Sequence, residues 1–325
     1  MTPLHQSLLL LLALAVTGNH PAQVQVERSA NAMGTVFSVA MYGSDVNKLA
    51  TAGDLALAEA RRIDRLLSNY KPDSELSKVN AEAARKPVHV SMELFDLLLE
   101  CGRVSQESEG AFDITVGPLM KAWGFFRGAG QLPGQDAIRE ARARVGYQNI
   151  LLDPKTRTVR FQRAGVELDP GGVGKGYAVD RMAAILRQQG VATALISGGG
   201  SSIYGIGCPP DEVRGWPVHI ADPRNDRKTA ADVFLKNMSL STSGSYEKFF
   251  WADGKVYSHI MDPRTGFPAQ GTLAVSVIAP TTLASELWAK PYFILGSGWT
   301  ARHKPTYFRV FFCSAIAGSA CYWIS

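Results

Sequence analysis

Cysteine, histidine and clustered charge are scarce in this chain, and each scarcity excludes a class of function. It has 4 cysteines and 6 histidines among 325 residues, and no cysteine pair has the spacing of a zinc site. The 34 Lys and Arg against 29 Asp and Glu give a formal net charge of +5, spread along the chain. Because no basic run and no alternation of basic with aromatic residues occurs, the sequence excludes nucleic acid as a partner. The mild positive charge favours an anionic small molecule instead.

Long apolar runs are also absent, except for SLLLLLALAV at residues 7–16. This run is too short to cross a bilayer and is followed by small and polar residues, so it predicts a secretory signal peptide over residues 1–22. No cysteine follows it, which argues against a lipoprotein. The lack of Lys or Arg before it leaves an uncleaved anchor as the alternative. We therefore expect residues 23–325 to be exported, to the periplasm or the outer face of the cytoplasmic membrane.

Export affects how the cysteines are interpreted, because a thiol pair in an oxidising compartment can form a disulfide. Cys313 and Cys321 flank a short turn between two strand-like pieces, YFRVFF and CYWIS. A disulfide across this hairpin is therefore expected. Cys101 lies on an apolar helical stripe, which predicts a buried free thiol.

The pattern of hydrophobic residues predicts one α+β domain over residues 23–325. Residues 35–43 alternate as a strand does, whereas Leu55, Ile63, Leu66 and Leu67 recur at helical spacing. Further strand-like and helix-like segments follow without a regular βαβ rhythm, and no linker or internal repeat divides them. This order predicts a largely antiparallel sheet packed with helices.

The segment VELDPGGVGKGYAVD, residues 166–180, runs from a strand-like piece through four glycines into an amphipathic helix. A loop that opens a helix presents unpaired N–H groups and the positive end of the helix dipole to an anion. The segment is not a Walker P-loop, because Asp169 replaces a required glycine and Gly176 replaces a required hydroxyl. By itself it is either a phosphate site or a tight structural turn.

Three other polar segments accompany the glycine loop. Asp113 lies between apolar residues in GAFDITVGPLMKAWGF, residues 241–249 form the hydroxyl-rich STSGSYEKF, and residues 259–268 form HIMDPRTGFP. Each also has a purely structural interpretation: a buried capping Asp, a serine-rich turn, and an Asp-Pro turn closed by Gly266.

Seven motifs taken in order resemble the ApbE family of FAD:protein FMN transferases: MGT, SNYKPDSELSKVN, FDITVGPLMKAWGF, DPGGVGKGYAVD, SGGG, STSG and HIMDPRTGFP. The resemblance extends from about Glu27 to Gly296. It implies an enzyme that transfers the FMN half of FAD to a Ser or Thr hydroxyl of a partner protein and releases AMP. By the same resemblance, FAD would be bound by Met33, Tyr70, Ala111, Phe112, Asp113, Asp169, Lys175 and Ile260.

The residue types suit these implied roles. Tyr70 and Phe112 can cover a flat ring, and Asp113 and Asp169 can accept hydrogen bonds from ring or ribose donors. Lys175 and the glycine N–H groups can meet the diphosphate. His259 is the candidate general base, since an imidazole takes up a proton near neutral pH. The alternative for His259 is a turn histidine that bonds only to the backbone.

The metal ligands are the point at which the sequence departs from the family. The resemblance implies Mg²⁺ bound by the Gly172 carbonyl and by an Asp and a Thr four residues apart on a late helix, but Ser285 and Ala289 stand at those two positions. Either Glu286 takes over as a ligand, with Ser285 as a weak one, or the metal site is lost and Glu286 is a surface residue. Pro170 also removes one backbone donor beside the loop.

Three functions are therefore open at the level of sequence. The first is transfer of FMN to an exported or membrane-associated redox protein. The second is Mg²⁺-dependent hydrolysis of FAD to FMN and AMP at the same site. The third is FAD binding without catalysis, motivated by Ser285 and Ala289.

Overall fold

The computed structural model describes residues 23–325, so the predicted signal peptide lies outside the described residues. The helices are α1 Val46–Leu67, α2 Glu75–Glu82, α3 Met92–Glu107, α4 Gly117–Ala122, α5 Gln135–Arg142, α6 Gly174–Gln188 and α7 Thr282–His303. The strands are β1 Val24–Ala32, β2 Thr35–Gly43, β3 Val88–His89, β4 Ile150–Asp153, β5 Thr158–Phe161, β6 Ala194–Gly198, β7 Ser202–Ile206, β8 Trp216–Asp222, β9 Asn225–Leu235, β10 Met238–Gly244, β11 Phe249–Ala252, β12 Lys255–Ser258, β13 Met261–Asp262, β14 Phe267–Pro268, β15 Thr272–Ala279, β16 Arg309–Ser314 and β17 Tyr322–Ile324.

An antiparallel sheet of eight strands is the centre of the fold, in the order β1-β2-β6-β7-β10-β15-β16-β17. Every neighbouring pair in it is antiparallel. Met33 and Gly34 connect β1 to β2 with positive φ angles of 51° and 72°, as a type I′ hairpin turn requires. The predicted α+β class with a largely antiparallel sheet is confirmed.

Different elements cover the two faces of this sheet. Helices α1, α6 and α7 pack on one face and share the largest hydrophobic core with it, and the β8–β9 hairpin packs on the other. Along β16, Val310 and Phe312 belong to the helix-side core, whereas Phe311 and Cys313 belong to the hairpin-side core. This alternation is what a strand buried on both faces produces.

The cysteines lie as the sequence predicts. Cys313 and Cys321 are joined by a disulfide across the β16–β17 hairpin, and Cys101 is a fully buried free thiol. Within residues 23–325, no helix is both long and apolar enough to span a membrane.

Three local predictions need correction. The predicted strand before the glycine loop is reduced to one bridge, Val116 to Glu167, because the Leu168 backbone pairs with the Asn80 side chain instead of a strand. The predicted helix with Leu55 on its buried stripe exists, but Leu55 is 44% exposed. The sequence segment TLASELWAKPYFILG predicts that the last helix ends at Gly296, but α7 continues to His303 through a kink at Gly296, which has a φ of 79°.

Candidate functional site

A small cavity of about 100 Å³ brings together the motifs that are distant in sequence. Its walls come from the segment after α3, the glycine loop, the segment after β12, and one turn of α7. Seven residues singled out from the sequence line it: Ala111, Phe112, Asp113, Asp169, Gly172, His259 and Ile260. Lys290 of α7 completes the wall.

Asp169 orients the glycine loop. One carboxylate oxygen accepts a hydrogen bond from Gly171 N at 2.8 Å, and the other accepts one from Asn69 Nδ2 at 3.0 Å. The Asp169 backbone N–H donates to the Ile114 carbonyl at 2.8 Å, which ties the loop to the Ala111–Asp113 segment. Burial raises the pKa of Asp169 above its ordinary value, although the hydrogen bonds from Gly171 and Asn69 oppose the shift.

Asp113 is a buried carboxylate that organises its own loop. It accepts hydrogen bonds from Thr115 N at 2.8 Å, Thr115 Oγ1 at 2.7 Å and Tyr147 N at 2.7 Å. Burial raises its pKa, against the effect of these donors. The capping role considered from sequence is therefore present, and Asp113 also borders the cavity.

Tyr70 lies in a second, larger cleft of about 490 Å³, and Asp169 borders both spaces. The Tyr70 ring stacks on Phe126 with a centroid distance of 4.7 Å and an interplanar angle of 10°. Arg127 donates to the Tyr70 carbonyl at 3.0 Å, and its guanidinium lies 5.4 Å from both ring centroids. Because Phe112 is in the small cavity, the two aromatic residues selected from sequence line different compartments.

Lys175 lies at the start of α6, and Met33, in the β1–β2 turn, lies close to it. The Lys175 ammonium donates to Ser201 Oγ, directly after the SGGG turn at residues 197–200. The Met33 sulfur lies 3.6 Å from the position that a Cβ on Gly174 would occupy. The β1–β2 turn and the SGGG turn therefore both border the glycine loop.

His259 lies near the Phe125 ring, with 6.4 Å between the two ring centroids, and beside the Lys248 backbone. Its Nδ1 is 3.3 Å from the Lys248 carbonyl oxygen and is placed to donate to it, which leaves Nε2 as the proton-accepting nitrogen. Burial, together with the charges of Lys290, Lys248 and Lys175, lowers its pKa to about 4, against the effect of the hydrogen bond with the Lys248 carbonyl. The imidazole is therefore neutral at physiological pH, the form that a base requires.

Glu286 is buried and points at the glycine loop. It is 2% exposed, so the alternative of a surface residue is wrong. One carboxylate oxygen accepts a hydrogen bond from Gly176 N at the start of α6, and the other lies 3.7 Å from Lys290 Nζ. The Lys290 side chain is 22% exposed and its Cε lies 3.7 Å from the position that a Cβ on Gly172 would occupy.

Ser285, the adjacent residue, faces a different part of the molecule. It is fully buried, and its hydroxyl lies 3.0 Å from Ser239 Oγ and 2.8 Å from Ser241 Oγ on β10. It also donates to the Thr282 carbonyl at 3.1 Å. The STSG motif therefore belongs to β10, where Ser241 holds α7 against the sheet.

The expected ligands Gly172, Ser285 and Glu286 do not fit Mg²⁺ in this arrangement. Mg²⁺ needs several oxygen ligands at one point, whereas the Ser285 hydroxyl is directed at β10 and the Glu286 carboxylate already meets an N–H group and an ammonium. Among residues 23–325, no three His, Cys, Asp or Glu side chains are grouped closely enough to hold a metal ion.

Sequence reasoning missed several residues of the site. Phe126 and Arg127 directly follow the motif FDITVGPLMKAWGF, so extending it by two residues would have included them, whereas Asn69 lies inside SNYKPDSELSKVN and was not singled out there. Lys290 is not among the missed residues, because the sequence offers it, with Lys175, as a basic group that neutralises the diphosphate if no metal does; its spacing from Glu286 equals that of the expected metal ligands, shifted by one position.

Comparison with known proteins identifies the family of this chain. The sequence model of the ApbE family matches residues 33–306. The FAD:protein FMN transferase of Escherichia coli strain K12 is 34% identical over 275 residues, covering 81% of this chain and 76% of that protein. A Klebsiella pneumoniae protein of the same name is 35% identical over 293 residues, covering 87% of this chain and 82% of that protein.

Solved structures show the same fold. The ApbE protein from Thermotoga maritima superposes with a TM-score of 0.83 at 28% identity, covering 92% of this chain and 96% of that one. The flavin transferase ApbE from Vibrio cholerae gives a TM-score of 0.80 at 26% identity, covering 93% of this chain and 97% of that one.

Proposed function

This chain belongs to the ApbE family, and on that premise we propose that it is an FAD:protein FMN transferase. It takes FAD as substrate and attaches the FMN half to a Ser or Thr hydroxyl of an acceptor protein. The observation that carries the proposal is that His259, the glycine loop and Lys290 meet at one cavity. A base, an array of N–H donors and positive charge are what transfer of a phosphoryl-type group from a diphosphate requires.

The reaction replaces the phosphoanhydride bond between the two halves of FAD with a phosphate ester bond to the acceptor hydroxyl. The acceptor oxygen attacks the phosphorus of the FMN half, and the bond from that phosphorus to the bridging oxygen breaks. AMP leaves with the bridging oxygen, and His259 Nε2 takes the proton of the attacking hydroxyl. The neutral state of His259 makes it ready to accept this proton without a prior deprotonation step.

FAD spans both spaces in this proposal. The diphosphate lies at the glycine loop, where the N-terminus of α6 and Lys175 are available. A flat ring can stack on the exposed Tyr70, whose own ring is held by Phe126 and Arg127. Asp169, at the boundary of the two spaces, is placed to accept a hydrogen bond from the substrate.

The Mg²⁺ implied by the family resemblance would supply charge at the diphosphate. Because Gly172, Ser285 and Glu286 do not fit it as placed, we assign no step to a metal. The positive charge that the reaction needs must then come from other groups.

We also propose that the protein acts outside the cytoplasm on a membrane-associated redox protein. The apolar run at residues 7–16 supports export, and the Cys313–Cys321 disulfide is typical of an oxidising compartment. Mass spectrometry of the purified protein tests this: a mature N-terminus near residue 23 supports export, and an intact leader in the cytosolic fraction contradicts it.

Hydrolysis of FAD is the second candidate, because water at the position of the acceptor hydroxyl gives FMN and AMP with the same residues. Incubating the purified protein with FAD, with and without an acceptor protein, separates the candidates. Labelled acceptor indicates transfer, free FMN indicates hydrolysis, and unchanged FAD indicates a binding protein. His259→Ala is the matched control, since loss of the base should abolish both reactions.

A further inference from the structure

Lys290 is partly buried beside the loop that the diphosphate of FAD must meet. Its Cε lies beside Gly172, and its ammonium lies 3.7 Å from the Glu286 carboxylate one turn earlier on α7. Glu286 is in turn fixed by Gly176 N at the start of α6. Lys290 is therefore held at the cavity by Glu286, which is itself hydrogen-bonded to the N-terminal turn of α6.

The spacing of Glu286 and Lys290 is that of the expected metal ligands, one position further along α7. The family resemblance implies two ligands four residues apart on this helix, and these two residues have that spacing. The first is a carboxylate, but the second is an ammonium, which donates hydrogen bonds and cannot bind a cation. The Glu286 carboxylate compensates Lys290 in place of a metal ion.

Two further lysines lie near this cavity: Lys175 follows the glycine loop at the start of α6, and the Lys248 backbone carbonyl meets His259. The charges of both lower the pKa of His259, and the charge of Lys175 lowers that of Lys290. Like charges that converge in a partly buried space repel one another. The arrangement is favourable when an anion occupies the space, and the diphosphate of the proposed substrate is such an anion.

We propose that this enzyme neutralises the diphosphate of FAD with the Lys290 ammonium in the place of a divalent metal, and that it binds FAD without Mg²⁺. The inference rests on the proposed function for the identity of the anion. Lys290 donates to the phosphate oxygens, Glu286 positions it, and Lys175 adds charge from the start of α6, directly after the loop.

The test is FAD affinity measured by calorimetry on metal-stripped protein, in chelator and in excess Mg²⁺. The dissociation constant for FAD of the wild type should agree between the two conditions within about twofold, because no metal ion takes part in binding the diphosphate. Lys290→Met keeps the apolar stem and removes the charge, and it should weaken FAD binding about tenfold or more in chelator. Binding of riboflavin, which has no phosphate, should be the same for Lys290→Met and wild type.

Two variants complete the design. Lys155→Met removes an exposed lysine in the β4–β5 turn and should leave FAD affinity unchanged. Lys290→Thr restores a neutral oxygen beside Glu286, and its FAD binding should become tighter when Mg²⁺ is added.

Either of two results would overturn the inference. One is a wild-type affinity that falls about tenfold or more in chelator and is restored by Mg²⁺; the other is a folded Lys290→Met that binds FAD as tightly as wild type. The first measurement needs no variant, so misfolding of Lys290→Met does not remove the test. FMN transfer that requires Mg²⁺ would refute the inference and leave the proposed function intact. Metal-independent FAD binding without FMN transfer would leave the inference intact and refute the proposed function.

Discussion

At the scale of single residues, His259 differs from the other polar residues of the cavity in what it can do. Asp113 and Asp169 already accept hydrogen bonds from their own loops, whereas His259 holds one nitrogen at a carbonyl and presents the other for proton transfer. A base contributes mainly in the transition state.

His259→Ala should therefore retain FAD affinity and lose turnover. We expect a dissociation constant within about twofold of wild type and a fall of about 10² to 10⁴ in the rate of FMN transfer. Calorimetry with FAD and single-turnover assays measure the two quantities. A parallel loss of affinity and rate would make His259 a positioning residue instead.

The acid limit of the reaction should be set by the same imidazole. Burial, aided by three lysines, lowers the pKa of His259 to about 4, so the base is lost only when the pH falls through that value. We expect kcat/KM to be constant from neutral pH to about pH 5 and to fall below it. Removing a nearby positive charge with Lys290→Met should move this limit to higher pH. A wild-type limit near the ordinary histidine pKa of about 6.5 would contradict the account.

Residue types could be predicted from the sequence more readily than residue contacts. The ordered motifs predict His259, Asp169 and Gly172 as site residues because their chemistry suits a diphosphate, and all three line the small cavity. The direction of Ser285 and Glu286 could not be found, since adjacent positions on a helix point about 100° apart and only the packing of α7 decides which one meets the glycine loop.

At the scale of elements, helices α6 and α7 hold each other's N-terminal turns. Asp180 of α6 accepts hydrogen bonds from Thr282 N at 2.7 Å and Leu283 N at 2.8 Å. Glu286 of α7 does the same for Gly176 N. Each carboxylate lies at the positive end of the other helix, where it is stabilising, and together they fix the cavity wall that carries Lys290.

Gly176 is the point of closest approach between the two helices. A Cβ there would lie 2.6 Å from the Thr282 carbonyl oxygen and 2.7 Å from Glu286 Oε2. Gly176→Ala should lower the free energy of unfolding by about 1–3 kcal/mol, since backbone and a buried carboxylate must move. Urea unfolding measures the change.

Gly102→Ala on α3 is the matched control, because a Cβ there would meet nothing within 4 Å. It should be neutral or raise the free energy of unfolding by up to about 1 kcal/mol, as Ala favours the helix. Equal effects of the two substitutions would show that α6 and α7 are not closely packed at this point.

Elements with strong local signals could be predicted, and those determined by distant contacts could not. The Asp253-Gly254 pair predicts a hairpin turn from the sequence alone. The structure has the β11–β12 hairpin there, with positive φ at both residues. The apolar residues before the glycine loop predict a strand, but Asn80, which is distant in sequence, satisfies that backbone instead.

At the scale of the whole molecule, the β16–β17 hairpin closes one edge of the central sheet. Its disulfide joins Cys313, buried in the hairpin-side core, to Cys321, with a sequence separation of 8. The order of strands in the sheet was not predictable, because any antiparallel pair satisfies the same alternation and the partner is chosen by the whole core.

Loss of the disulfide should destabilise the protein. A loop of this size predicts a loss of about 2 kcal/mol, mainly through the unfolded state. Thermal unfolding of wild type and Cys321→Ser, each with and without reductant, measures it. Only the wild type should respond to reductant; an unchanged wild-type melting temperature would contradict a structural role for the bond.

The central claim is that FMN leaves FAD on a protein hydroxyl. The most direct test is to incubate the purified protein with FAD and the envelope proteins of its source cells, and to quantify AMP, free FMN and protein-bound flavin together. We predict AMP and protein-bound flavin in equal amounts, with FMN located on a Ser or Thr by mass spectrometry and nothing formed by His259→Ala. Consumption of FAD to free FMN and AMP without bound flavin, or no consumption at all, would contradict the account.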